Sequence, residues 1–118
     1  MKVKNINITD IINNDIIHEF VIERLDEKGY IMLRHNLKKK ELYIDTLYVY
    51  KDFRNKGIGT ELLEAAINTA VDWNDSNIKE IIVSKIFITY TNPNNKRLYL
   101  KLGFKQYKNK TLIMNLNE

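Results

Sequence analysis

The segment Arg54-Asn55-Lys56-Gly57-Ile58-Gly59-Thr60 places two glycines and two cations where an alternating apolar pattern gives way to a helical one. The first N–H groups of a helix have no intrahelical partner and point outward together. The helix dipole adds partial positive charge at the same place. Gly57 and Gly59 leave room for an anion to approach those donors, and Arg54 and Lys56 add formal charge. A phosphate or pyrophosphate suits such a turn. The same residues also suit a tight turn with close helix–strand packing, and the segment by itself leaves both readings open. Two familiar phosphate motifs are excluded. A Walker A loop needs Lys and then Ser or Thr after its last glycine, but Gly59 is followed by Thr60 and Glu61; the dinucleotide fingerprint needs glycine where Leu62 stands. The chain has no cysteine, which excludes disulfides, thiolate metal sites and a cysteine nucleophile. His18 and His35 lack metal-like neighbours and read as surface or turn residues, and Trp73 as a packing residue at a helix end.

The elements that must position this turn follow from the apolar periods. Lys2 to Ile8 alternates like a strand, and Glu19–Leu25 and Tyr30–Arg34 read as strands around Asp26-Glu27-Lys28-Gly29. Between them, "DIINNDII" fits either a short helix capped by Asp10 or an irregular turn at Asn13-Asn14-Asp15. Leu42–Val49 is a strand rich in Tyr, Ile, Thr and Val. From Gly57 to about Trp73 the period becomes helical, with Ile58, Leu62, Ala65, Ala66, Thr69 and Ala70 on one face. Glu80–Ile88 reads as a buried strand, Asn94–Leu102 as a short helix stopped by Gly103, and Phe104–Tyr107 with Thr111–Leu116 as a hairpin. A long helix joining Leu42–Val49 to Glu80–Ile88 is a βαβ crossover, so those strands run parallel while the early ones are antiparallel. The fold class is therefore α/β, with helices on a mixed sheet in a single domain spanning residues 1–118.

Composition sets the outer bounds. Of 118 residues, 44% are hydrophobic and 29% charged, a globular balance. No window approaches the roughly 18 uninterrupted apolar residues of a membrane span, and the N-terminus has no signal-like apolar core, so a soluble, cytoplasmic protein without a membrane partner is expected. The net charge is +4 and the pI about 9.2, with Lys38–Lys40 the densest basic run. That run reads as a solvated turn between strands. Charge is the only support for a nucleic-acid partner, since no recognition helix or stacking-aromatic motif accompanies it.

Two separated motifs together resemble a known family. "RNKGIG" fits R/Q-x-x-G-x-G/A, the pyrophosphate signature of the GNAT (Gcn5-related N-acetyltransferase) superfamily, and it follows "LYVYKDF" as that family's strand-to-turn approach does. "NPNNKRLYLKLGF" resembles the later N-x-x-A-x-x-L-Y-x-x-x-G-F pattern through Asn92, Leu98, Tyr99, Gly103 and Phe104, with Asn95 in place of the usual alanine. The resemblance runs from about Leu42 to the C-terminus. It implies a GNAT-like acyl-CoA N-acyltransferase fold: a central mixed, mostly antiparallel sheet with a splayed parallel pair. It also implies acetyl-CoA as cofactor and transfer of its acetyl group to a primary amine of a small molecule or protein. Leu47, Tyr48 and Val49 would offer backbone groups to the pantetheine and acetyl carbonyl. Arg54, Asn55, Lys56, Gly57, Ile58, Gly59 and Thr60 would hold the pyrophosphate, and Asn92 and Tyr99 complete the cofactor set.

Amine acylation needs a base for the ammonium, a donor for the acyl oxygen and an acid for the departing thiolate. Tyr99 matches the family tyrosine near the sulfur and is the general-acid candidate. Asp45 lies four residues before Val49, so a period of two puts both side chains on one face. Asp45 is the candidate base by analogy with a carboxylate in polyamine acetyltransferases, and Glu41 is the second choice. The family usually carries two helices between its first two strands, and here only about Thr9 to His18 is available. This shortened N-terminal helical region abbreviates the acceptor side. An open groove for a large substrate, completion of the site by a homodimer partner, or a regulatory CoA-binding module without catalysis each fit that departure.

Overall fold

The protein, described from a computed structural model, is seen at residues 2–12, 15–24 and 26–116, with 2–12 and 15 entering as backbone only. Its strands are β1 (Lys2–Ile12), β2 (Asp15–Glu23), β3 (Gly29–Asn36), β4 (Glu41–Val49), β5 (Lys85–Thr89), β6 (Lys105–Lys108) and β7 (Thr111–Asn115). Helix α1 (Ile58–Asp75) joins β4 to β5, and α2 (Pro93–Lys101) joins β5 to β6. The sheet order is β1-β2-β3-β4-β5-β7-β6. Only β4 and β5 pair in parallel among the described strands. This is the mixed, mostly antiparallel sheet expected from the pattern. The ambiguous N-terminal segment is strand rather than helix: Asp10 pairs with Ile17 and Ile12 with Asp15. Asn13 and Asn14, the centre of the alternative turn, lie outside the described residues.

Helix α1 buries Ile58, Leu62, Leu63, Ala66 and Ala70 against Phe20, Ile22, Ile31, Leu33, Leu42 and Ile44. Each large apolar side chain so buried stabilises by about 1.5–3 kcal/mol, so this face rather than intrinsic propensity holds the helix. Tyr99 of α2 joins the same core. Both helices thus lie on one side of the sheet. The other side carries Tyr30, Met32, Arg34, Tyr43 and Phe87, all half-buried. Gly29 lets β3, β4 and α1 converge, because a Cβ there would stand 2.8 Å from the Tyr48 carbonyl oxygen and 3.0 Å from Leu62.

Three local expectations change. The strand expected over Glu80–Ile88 begins only at Lys85. Asn74, past the predicted helix end at Trp73, accepts from Val83 N–H and donates to Val83 C=O, both at 2.7 Å. Those bonds consume the groups a strand would use, and a short 3₁₀ turn occupies Lys79–Ile81. His35, read as a surface or turn residue, is 1% exposed and stacks on Trp73 at 5.0 Å. The third change is a β-bulge in β4. Met32 pairs with Thr46 and Leu33 with Ile44, which leaves Asp45 without an opposite residue.

Candidate active site

The bulge and the end of parallel pairing together create the site. Strands β4 and β5 pair from Glu41↔Lys85 to Ile44↔Ile88 and no further. Beyond that point β4 continues to Val49, while β5 stays on β7 and ends at Thr89. The two strands therefore splay. Tyr50 N–H donates to Lys28 C=O, so residues 48 and 50 spend their backbone groups on the β3 side. By the period of two, Leu47 and Val49 turn theirs toward the open splay. The expected contribution of Tyr48 is corrected accordingly: its backbone belongs to the sheet, and only its side chain is left for the site.

Below the splay edge lies the start of α1. Gly57 caps it with φ 80°, in the left-handed region, and no side chain caps the helix. Asn55 also has a positive φ of 63°. Glu61 N–H is the first to bond back, to Gly57 C=O, so the N–H groups of Ile58, Gly59 and Thr60 face outward unspent. Left-handed residues alternating with others turn successive N–H groups toward one point, a concavity suited to anions. Glu61 would oppose an anion here, but Arg24 pairs with it. Arg54 Nε donates to Val49 C=O at 2.9 Å, and its guanidinium lies over the Tyr48 ring. Arg54 therefore braces the loop against the strand as well as adding charge.

These groups line one cavity of about 560 Å³, walled by Leu47, Tyr48, Val49, Arg54, Asn55, Gly57, Ile58, Gly59, Thr60 and Asn92. Lys56 is exposed in the turn and is not part of the wall. Asn92 caps α2 by accepting from Asn94 N–H at 2.8 Å. Phe53, Asn94, Asn95 and Leu98 also line the cavity, and the sequence pattern did not mark them as site residues. Asn95 and Leu98 stand inside the second motif, so the signal was there. Asn94 stands there too and Phe53 ends "LYVYKDF", but only the fold brings the start of α2 beside the turn after β4.

The proton-handling candidates are more dispersed. The Tyr99 ring is 4% exposed, packed near Phe104, and does not line the cavity, although the adjacent Leu98 does. Burial raises the Tyr99 pKa, which keeps the phenol protonated. The bulge breaks the alternation that placed Asp45 and Val49 on one face. Val49 and Leu47 point toward α1, where their methyls stand 3.9 and 4.0 Å from a Cβ at Gly59. Asp45 instead meets Arg34 through two bonds of 2.6 and 3.0 Å on the opposite side. That hydrogen bond raises the Arg34 pKa. Glu41 lies on the same side and accepts from the Tyr43 hydroxyl. Among the described residues no cluster of three or more His, Asp or Glu side chains is arranged to hold a metal. No helix among them is long and apolar enough to cross a membrane.

Residues 16–104 match the profile of the Acetyltransferase (GNAT) family. No curated protein sequence matches the chain. Among solved structures, a GNAT-family acetyltransferase from Staphylococcus aureus Mu50 superposes with a TM-score of 0.65 and 19% identity, over 86% of this chain and 69% of that one. An acetyltransferase from Bacillus cereus ATCC 14579 gives 0.65 and 18%, over 85% and 74%. AtaTR, solved with acetyl-CoA bound, gives 0.63 and 16%, over 84% and 67%.

Proposed function

The chain belongs to the GNAT family of acetyltransferases, and from that premise we propose that it transfers the acetyl group of acetyl-CoA to a primary amine of a small molecule or protein. The observation that carries this reading is the meeting of an unpaired β4 edge with an uncapped α1 N-terminus in one cavity. An extended amide chain ending in a pyrophosphate has the matching chemistry: strand-like hydrogen bonds at one end and an anion at the other. The cofactor supplies a thioester, whose acyl group is already activated.

The chain's residues divide the remaining work. The Leu47 C=O and the Val49 N–H hold the pantetheine amides, which leaves the Leu47 N–H free. A β4 N–H near Val49 faces the acyl oxygen as negative charge grows there. The N–H groups of Ile58, Gly59 and Thr60, with Gly57 shaping the turn, take the pyrophosphate, and Lys56 adds long-range attraction from solvent. In the balanced reaction the acyl C–S bond is exchanged for an acyl C–N bond. The substrate ammonium gives up two protons, one before attack and one after, and the thiolate gains one. Tyr99 is the proposed proton donor to sulfur, and its raised pKa suits an acid that stays loaded at neutral pH. Asp45 and Glu41 are the proposed acceptors, acting through water because Arg34 and Tyr43 already engage them.

Calorimetry with acetyl-CoA, followed by thiol release with a panel of amines, tests the reading. Saturable binding and amine-dependent thiol release are expected. Absence of binding removes the proposal, and tight binding without transfer to any small or protein amine replaces catalysis with a CoA-dependent regulatory role. Tyr99→Phe keeps the ring in the core and removes only the hydroxyl. We expect kcat to fall by roughly 10²-fold with the acetyl-CoA affinity unchanged. An unchanged kcat would clear Tyr99 of the acid role.

A further inference from the structure

A second cavity opens on the side of the sheet opposite α1 and α2, where the splay begins. It holds about 370 Å³ and includes Ile44, the last β4 residue paired to β5, and Thr89, the last residue of β5. Along β4 only Thr46 separates its wall, Glu41 and Tyr43 to Asp45, from the donor cavity's Leu47–Val49. An amine reaching the acyl group from the sheet's open side passes through it.

Its lining is unusual in two respects. Three rings cross its floor: Tyr43 stacks on Phe87 at 5.2 Å, and Phe87 meets Tyr107 edge-on at 5.4 Å. Tyr43 has Phe87 on one face and the Arg34 guanidinium 5.3 Å from its centre, and Lys108 lies 5.2 Å from the Tyr107 centre. The Tyr43 and Tyr107 rings thus already have cations beside them, and three adjoining rings offer an apolar, aromatic surface to a ligand. The formal charges also cancel: Arg34 and Lys108 against Glu41 and Asp45. A polycation would find no net negative field here, and the Asp45 charge is already matched by the two-point Arg34 contact.

Resting on the acetyltransferase reading above, we propose that this cleft selects a primary amine carried on an aromatic skeleton, an arylalkylamine or an equivalent side chain, over polyamines and simple alkylamines. The aryl group lies against the Tyr43, Phe87 and Tyr107 rings, and the amine nitrogen points past Asp45 toward the splay. Its lone pair forms the C–N bond as the C–S bond of the thioester breaks.

The test compares kcat/KM for 2-phenylethylamine, hexylamine and spermidine at saturating acetyl-CoA. A preference of about 10-fold or more for the aryl amine is expected, the scale a shaped apolar site delivers. Tyr107 is 48% exposed, so Tyr107→Ala leaves the fold intact, and it should bring the aryl-to-alkyl ratio toward one by raising the KM for the aryl amine. Preference for spermidine or hexylamine, or a ratio unchanged in Tyr107→Ala, overturns the proposal while leaving acetyl transfer standing. If no amine is turned over, calorimetric titration of the three amines decides the cleft separately: 2-phenylethylamine binding tightest supports it, and spermidine binding tightest overturns it.

Discussion

Gly57 and Gly59 look alike in the sequence, but the structure gives them different tasks. Gly57 has φ 80°, and a Cβ placed on it would meet nothing within 4 Å, so its requirement is conformational. Gly59 would bring its Cβ to 3.9 and 4.0 Å from Val49 and Leu47, ordinary contact distances. Gly57→Ala should therefore cost roughly 1–2 kcal/mol in chemical denaturation and weaken acetyl-CoA binding by distorting the N–H cradle. Gly59→Ala should be milder in stability. Equal losses for both would mean the left-handed turn is not what the motif protects.

At the scale of elements, the end of α1 is secured by side chains rather than by the sheet. Asn74 meets both backbone groups of the fully buried Val83. Asn74→Ala leaves a buried N–H and C=O unsatisfied and should cost roughly 1–3 kcal/mol by denaturation. Beside it, His35 stacks on Trp73, with Nε2 3.4 Å from the Ile82 carbonyl. Burial, mainly, pushes the His35 pKa down from 6.5 to about 4, and His18 and Lys40 push the same way. The unfolded chain thus takes a proton below about pH 6.5 that the folded chain refuses until about pH 4. Stability is fully present above pH 6.5 and falls through that window, by about 3 kcal/mol at most from this group. His35→Gln should flatten the fall, measured as Tm against pH from 7 to 4; an unaltered slope would assign the acid sensitivity elsewhere.

For the whole molecule, the proposed cofactor site lies where β4 and β5 part. A ligand there would join β4, the α1 N-terminus and the start of α2, three segments that the cavity wall already brings together. Binding to the folded chain alone stabilises it by mass action, about 2.7 kcal/mol at 100 times Kd, or roughly 10 °C in Tm for a domain of this size. Acetyl-CoA should produce that shift with saturation. A flat thermal profile at millimolar acetyl-CoA would count against the site.

How much was legible follows from the range of the signals. The "RNKGIG" turn and "RLYLKLGF" segment carry their message locally, through glycines, a cap and helical spacing; they led to the family, and many of the residues they marked line one cavity. The apolar periods likewise yielded the order of strands and helices and the parallel crossover. Tertiary structure decided the rest. The bulge at Asp45 depends on how β3 and β4 register across the sheet, and it moved Asp45 away from the face of Val49. The clip at Asn74 shortened a strand whose own residues favour extension. The charge of Asp45 is matched by Arg34, eleven residues away, and the cleft of Tyr43, Phe87 and Tyr107 draws on three strands. Pattern along a chain reports which way each side chain leans; only the pairing of distant strands decides what it leans against.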